Sequence, residues 1–237
     1  MATESTSEIE NSENLEESPY YTGQARFEFL VERISTRVRN KIYKSFAQLA
    51  KPTPELKVLD VGVTSNRRSD SNFFEACYPH KEQITAVGLE DASFLSEMYP
   101  GLTYIQADAM QLPFADRSFD IATSWAVIEH VGSRERQRRF LSEMARVSRK
   151  LFVTTPNRWY PVEFHTVLPF LHWLPPSQFR QILKGLKKDY FAEEANLNLL
   201  SERDFIELLP AGMKVTTAHA HLLGPVSNLV LWAEWPD

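Results

Sequence analysis

The spacing of apolar residues along the chain predicts one long helix followed by strands and helices in alternation. Between residues 24 and 51 apolar side chains recur every three or four positions, as on one buried helical face. They are Leu30, Ile34, Val38, Ile42, Phe46 and Leu49. Five short apolar runs then each predict a buried strand, at residues 56–62, 84–90, 102–108, 119–125 and 151–155. Helices are expected between them, near Phe73, at 92–98 and at 133–149, so the pattern predicts a parallel sheet covered on both faces.

The C-terminal part of the chain departs from this alternation. A helix is expected to begin at Ser201, because acidic residues follow in its first turn. Apolar runs at 215–223 and 228–235 follow, and the four residues between them are too few for a crossover helix. The complete prediction is an α/β fold with a doubly wound, mostly parallel seven-stranded sheet that ends in an antiparallel hairpin.

Composition and charge narrow the class of protein. The chain has 237 residues and a net charge of -5, but residues 1–19 carry six glutamates and no lysine or arginine. We expect this polar tail to be disordered and residues 20–237 to form one near-neutral domain. Such a domain lacks the positive electrostatic potential that favours nucleic-acid binding. No apolar run is long enough to span a membrane, and we expect a cytoplasmic protein. Cys77 is the only cysteine, so no disulfide within the chain can form.

Acidic residues follow three successive predicted strands. Asp60, Glu90 and Asp108 all lie where a strand is expected to end. In an open α/β sheet, ligands bind beyond the carboxyl ends of the strands. Three carboxylates there suit a ligand with an ammonium group, a ribose diol and an exocyclic amine better than they suit a pyrophosphate.

The sequence resembles the class I S-adenosylmethionine-dependent methyltransferases over about residues 56–156. The resemblance lies in VLDVG, VGLED and QADAMQLPFADRSFDIATSWAVIEHV, and it favours the small-molecule group that includes ubiquinone and menaquinone biosynthesis enzymes. It implies the Rossmann-like methyltransferase fold and S-adenosyl-L-methionine as the cofactor. The implied cofactor-binding residues are Asp60 and Gly62 at the methionyl end, Glu90 at the ribose, Asp108, Ala109 and Met110 at the adenine, Ser124 and Trp125 at the methionine moiety, and Tyr21, with Tyr20, closing over the site.

The loop after the first predicted strand departs from that pattern. It usually has three alternating glycines, but here only Gly62 is kept, and Thr64 cannot easily adopt a positive φ. The loop is therefore expected to take another path or to bind cofactor weakly. A catalytically inactive, cofactor-binding partner or regulatory protein stays open as an alternative.

A long segment rich in aromatic residues separates the fifth predicted strand from the next helix. Residues 156–200 exceed an ordinary connection and are divided by prolines. We interpret them as a partly helical lid over an acceptor pocket lined by Trp159, Tyr160 and His165. A helical hairpin packed on the sheet, or a dimer contact, is the alternative.

The acceptor chemistry is expected to be O-methylation of a small or medium-sized molecule, with C- or N-methylation as alternatives. His165 and His130 are the candidate bases; His165 is favoured because it lies in the lid, where an imidazole with a pKa near about 6.5 could reach a hydroxyl. No metal site is expected, since neither a cysteine cluster nor a metal-ligand spacing of histidine and acid is present. The protein is expected to be a monomer or homodimer.

Overall fold

The computed structural model describes residues 25–68 and 71–236, with side chains from residue 36 onward. The predicted acidic tail, Tyr20 and Tyr21 lie outside the described residues, as do the side chains of Leu30 and Ile34. The leading helix α1 spans Ala25–Ala50. Val38, Ile42 and Phe46 are buried as predicted, but Leu49 is 38% exposed, so the buried face ends before the helix does.

Seven strands form one mixed sheet in the order β3-β2-β1-β4-β5-β7-β6. The strands are β1 Val58–Val61, β2 Ile84–Gly88, β3 Thr103–Gln106, β4 Phe119–Trp125, β5 Ser148–Pro156, β6 Lys214–His221 and β7 Val226–Glu234. The first five are mutually parallel, and β7 is antiparallel to both β5 and β6. The predicted parallel sheet with a C-terminal hairpin is thus confirmed.

Six further α-helices lie in the described part of the chain. They are α2 Phe73–Cys77, α3 Phe94–Met98, α4 Arg134–Val147, α5 Pro176–Gly185, α6 Asp189–Ala192 and α7 Glu202–Glu207. Ser133 caps α4, and Ser201 forms a capping box with Asp204 at the start of α7. Hydroxyl and carboxylate groups at these positions satisfy backbone N–H groups that have no partner within the helix. None of the helices in the described part of the chain combines the length and apolar character needed to cross a membrane.

The two faces of the sheet bury separate apolar clusters, because successive side chains of a strand point to opposite sides. Leu151 and Val153 pack with α4 and α7, whereas Phe152 packs with α1, α2 and α3. The prediction that the third strand is buried was wrong. Strand β3 forms an edge of the sheet and exposes Thr103 and Gln106, so only part of its surface is covered.

The segment between β5 and α7 folds as several short pieces, in agreement with its prolines. It contains a 3₁₀ helix at Leu171–Trp173, then α5 and α6. Phe179, Leu183, Ala192 and Leu197 form a small apolar core of its own. We call residues 156–200 the insertion.

Candidate active site

The strand order reverses between β1 and β4, and the acidic residues predicted from the sequence follow the strands on one side of this point. Asp60 lies within β1 and is 5% exposed. Glu90 and Asp108 each lie two residues beyond a strand end and are exposed. Among the described residues no lysine, arginine or histidine pairs with either of the exposed carboxylates. Each carboxylate accepts one hydrogen bond within the chain, from Ser65 or Met110, and has capacity left for hydroxyl and amine donors, the groups that a ribose diol and an adenine present.

Asp60 has a second buried acid beside it, which the sequence analysis missed. Glu75 lies in α2 and is fully buried. Burial raises the pKa of Asp60 to about 6, although the hydrogen bond that the Thr123 hydroxyl donates to it acts to lower this pKa. Burial and the charge of Asp60 together raise the pKa of Glu75 well above its ordinary value. Glu75 comes 15 positions after Asp60 within a short apolar run, so no sequence spacing pointed to this pair.

The loop after β1 avoids the positive φ that Thr64 could not easily adopt. In its described part, from 62 to 68 and 71 to 72, only Gly62 and Asn72 have positive φ, of 105° and 50°. Asn72 accepts from the Thr64 N–H and donates to the Thr64 carbonyl, at 2.9 and 3.0 Å. These two hydrogen bonds stabilise the loop although two of the usual glycines are missing. The Ser65 hydroxyl donates to Oε2 of Glu90, which ties the loop to the end of β2.

The residues at the end of β4 direct their side chains into the protein. Ser124 is fully buried and donates to the Val61 carbonyl at 2.8 Å. Trp125 stacks on Phe74 with ring centroids 5.4 Å apart and lies 5.1 Å from Phe152. What these two residues present at the strand end is therefore mainly backbone, and their contact with a methionine moiety stays a prediction.

The adenine contacts expected next to Asp108 have a defined local geometry. The Asp108 carboxylate accepts from the Met110 N–H at 2.8 Å and thereby holds the turn after β3. Ala109 and Met110 are half-buried and pack against the apolar cluster beneath α4. Their role at an adenine ring likewise stays a prediction.

Beyond β4, the chain brings together two histidines and two glutamates from distant positions. Glu129 and His130 lie in a 3₁₀ helix at Ile128–His130, and Glu163 and His165 come from the insertion. The two imidazole rings contact each other, with centroids 4.7 Å apart. Nδ1 of His165 lies 2.7 Å from Oε1 of Glu163, and Nδ1 of His130 lies 2.7 Å from the Asn196 carbonyl oxygen. The candidate bases predicted from the sequence thus share one site.

The four side chains perturb one another's pKa values. Burial, reinforced by His165, lowers the pKa of His130 to about 4. Burial alone would lower the pKa of His165, but Glu163 and Glu129 outweigh it and raise that pKa. Burial raises the pKa of Glu129 to about 7, whereas the contacts of Glu163 with His165 overcome burial and lower its pKa to about 2. The expectation of an ordinary pKa for His165 was therefore wrong, because the sequence did not show that the Glu163 carboxylate contacts its ring or that Glu129 lies nearby.

The residues predicted to line one acceptor pocket differ in burial and in their neighbours. Trp159 is 53% exposed and lines an open cavity of about 430 Å³ with His219 and Glu202. Tyr160 is buried, and its ring stacks on Phe164 at 5.0 Å. His165 lies against His130. A single pocket formed by Trp159, Tyr160 and His165 stays a prediction.

Comparisons with known proteins give the fold a family context. The sequence profile of the family described as "Methyltransferase domain" matches residues 60–151. A probable S-adenosylmethionine-dependent methyltransferase from Mycobacterium tuberculosis is 37% identical over 81 residues, which are 32% of this chain and 28% of that protein. The aligned part thus spans little more than a quarter of that relative.

Two solved structures share the fold over most of this chain. The first, described as a possible histamine N-methyltransferase from Thermotoga maritima, has 20% identity, a TM-score of 0.54, and coverage of 89% of this chain and 94% of its own. The second is the magnesium protoporphyrin IX methyltransferase of Synechocystis PCC 6803 with bound SAH, at 15% identity, a TM-score of 0.56, and coverage of 92% and 91%. At these identities the likeness concerns the fold.

Proposed function

We propose that this chain, whose residues 60–151 match the family described as "Methyltransferase domain", is a class I S-adenosylmethionine-dependent methyltransferase that transfers the methyl group to an oxygen of a small or medium-sized acceptor. The observation that carries the proposal is the placement of Asp60, Glu90 and Asp108 at successive strands beside the point where strand order reverses. When bound, the cofactor supplies an electrophilic methyl group on a sulfonium sulfur.

The residues present fit this cofactor in charge and hydrogen-bonding capacity. Glu90 would accept from the ribose hydroxyls and Asp108 from the adenine amine, since both carboxylates lack a cationic partner among the described residues. Asp60 and the backbone of Gly62, Ser124 and Trp125 would border the methionyl end. Ser65 already donates to one oxygen of Glu90, so ribose binding either shares that carboxylate with Ser65 or displaces it.

The paired histidines support oxygen as the acceptor atom. A hydroxyl must lose a proton when it attacks the methyl group, and a positioned base assists this step. The Nδ1–H of His165 donates a hydrogen bond to the Glu163 carboxylate, which leaves Nε2 on the opposite side of the ring. We assign Nε2 of His165 to the acceptor's proton, and we assign to His130, which is held by Asn196, the role of a neighbouring contact. Trp159 and Tyr160 stay proposed acceptor contacts, and the insertion a proposed lid.

Titration calorimetry with S-adenosylhomocysteine and S-adenosylmethionine tests the cofactor part of the proposal. Binding of both at one site per chain is expected. Transfer of a radiolabelled methyl group is then measured with phenols, sugars, amines and activated carbon acids as acceptors. Labelled products from hydroxyl compounds support O-methylation, and products from amines or carbon acids alone replace it with the N- or C-methyl alternatives. Absence of binding would favour the inactive-partner alternative.

A further inference from the structure

We propose that Glu129, His130 and His165 form a binding site for a divalent first-row transition-metal cation. Each of the three offers one ligand atom, and these atoms all lie within 4.8 Å of one another. Two imidazoles and one carboxylate are a donor set that suits Zn²⁺, Mn²⁺ or Fe²⁺ better than Mg²⁺ or Ca²⁺, which prefer oxygen ligands. No metal-ligand spacing was recognisable in the sequence, because His165 follows His130 by 35 positions.

The outer contacts of both histidines orient them for coordination. A carbonyl oxygen only accepts, so Nδ1 of His130 carries the hydrogen in its 2.7 Å contact with Asn196. The Glu163 carboxylate likewise fixes the hydrogen on Nδ1 of His165, and it also accepts from the backbone N–H groups of His165 and Thr166. Nε2 is left as the lone-pair nitrogen of each ring. Metal-bound histidines commonly have such a carbonyl or carboxylate on their second nitrogen.

The third ligand supplies an independent observation. Glu129 is fully buried; its Oε2 accepts from the Thr155 hydroxyl at 3.0 Å, but its Oε1 has no hydrogen-bond partner. This oxygen lies 3.9 Å from Nε2 of His130, on the side of the histidines. A buried carboxylate oxygen without a partner is costly. A cation between Oε1 and the two Nε2 atoms would provide the missing partner.

The present spacing is that of an open site. Ligand atoms at 2.0–2.2 Å from a tetrahedral cation are roughly 3.3–3.6 Å apart. Separations of up to 4.8 Å between the ligand atoms would therefore shorten by about 1.5 Å or less on binding. Three protein ligands leave a coordination position for a further group. If the proposed O-methyl transfer holds, an acceptor hydroxyl fits that position, where the cation would lower the hydroxyl's pKa. Cation binding and proton removal by His165 use the same nitrogen, so they exclude each other in any one molecule.

Cation binding is measured on untagged protein after treatment with a chelator. Competition against a chromophoric chelator is followed for Zn²⁺, Mn²⁺ and Mg²⁺, and the absorption bands of added Co²⁺ report nitrogen coordination. One Zn²⁺ or Mn²⁺ per chain is expected, bound at least 100-fold more tightly than Mg²⁺. His165→Ala, His130→Ala and Glu129→Gln should each weaken it by at least tenfold, and Glu163→Gln by about 10–100-fold.

His219→Ala is the matched control, because His219 is a half-exposed histidine paired with Glu202 outside the cluster. It should leave cation affinity unchanged. Affinity for S-adenosylhomocysteine, measured on every variant, separates loss of the cation site from loss of the fold. Wild-type protein that binds no cation more tightly than the His165→Ala variant, with S-adenosylhomocysteine affinity intact, would overturn the proposal while leaving the methyltransferase function standing. Cation binding without methyl transfer would instead remove the proposed function and keep the site.

Discussion

The two histidines of the site differ in what surrounds them, although their rings are in contact. His165 faces two carboxylates, which raise its pKa, whereas His130 is held by a neutral carbonyl and has its pKa lowered to about 4 by burial. Of the two, only His165 donates its Nδ1–H to a carboxylate, that of Glu163. This arrangement stabilises the imidazolium that forms when Nε2 accepts a proton. The base assignment to His165 therefore rests on geometry rather than on position in the sequence.

Replacing these histidines tests the base assignment once an acceptor is found. In chelator-treated protein, His165→Ala should lower kcat by about 10²–10⁴-fold, because the group that accepts the hydroxyl proton is lost. S-adenosylmethionine affinity should persist. His130→Ala should lower kcat less, and Glu163→Gln should lower kcat without removing the imidazole. Full turnover in His165→Ala, together with loss in His130→Ala, would transfer the base role to His130.

Glu90 carries the most specific cofactor prediction. Glu90→Ala should weaken S-adenosylhomocysteine binding by about 1.5–3 kcal/mol, since ribose hydroxyls lose a charged acceptor. Glu97→Ala is the control, because Glu97 is an exposed glutamate on the neighbouring helix α3. Calorimetry gives both affinities. Equal affinity in folded Glu90→Ala and wild type would mean that the ribose binds elsewhere.

At this scale the sequence predicted the positions of acidic residues near the strand ends better than it predicted the packing around them. Asp60, Glu90 and Asp108 were found because strand ends can be located from apolar runs. Glu75, Glu129 and Glu163 were missed as site residues, since an acid inside an apolar run or loop has no periodic pattern. The packing of Trp125 among Phe74 and Phe152 was also missed, because it depends on contacts between α2, β4 and β5.

Among the elements, the loop that follows β1 begins at a position with no room for a side chain. Gly62 has a φ of 105°, and a Cβ added to it would lie 2.5 Å from Cγ2 of Val127 in the loop after β4. The Gly62 N–H donates to the Val87 carbonyl at 2.8 Å, so the backbone cannot easily rotate away. The absence of a side chain at this position therefore lets the two loops beside the site approach each other.

Gly62→Ala should reduce the free energy of unfolding by about 2–4 kcal/mol, from the positive φ and the overpacking against Val127. Gly185→Ala is the matched control: Gly185 has open space around it in α5, so its substitution should be neutral or slightly stabilising. Urea unfolding measures both. Adding Val127→Ala to Gly62→Ala should restore the part of the free energy of unfolding that overpacking removes. If nothing is restored, the whole destabilisation comes from the positive φ of the backbone.

The elements themselves were largely predictable. Strand β4 was placed at its observed bounds, and the hairpin of β6 and β7 followed from the short connection between two apolar runs. Strand β3 was predicted as buried because its run is apolar, but whether a strand lies at an edge depends on strand order. The end of α4 was placed two residues late, since Ser148 and Arg149 already belong to β5.

For the molecule as a whole, the pair of Asp60 and Glu75 makes stability depend on pH. Both carboxyl groups are buried and both have raised pKa values, that of Asp60 being about 6. In the unfolded chain they would titrate near about 4. Above that pH the folded protein holds more protons than the unfolded chain, so the free energy of unfolding falls as pH rises. The contribution of the neutral pair is fully present below about pH 4 and is lost as pH rises through the folded pKa values.

Glu75→Gln should remove much of this dependence, because an amide has the size of the carboxyl group but does not ionise. We expect the variant to be more stable than wild type by roughly 1–3 kcal/mol at pH 8, and the difference to shrink toward pH 4, given about 1.4 kcal/mol for each pKa unit. Urea unfolding at several pH values between 4 and 8 gives both curves.

Glu55→Gln, at an exposed glutamate, is the control and should leave the curve parallel to wild type. The slope with pH decides the outcome, since an imperfectly bonded amide would shift the whole Glu75→Gln curve without changing its slope. A Glu75→Gln curve parallel to wild type would show that the buried pair is not the source of the pH dependence.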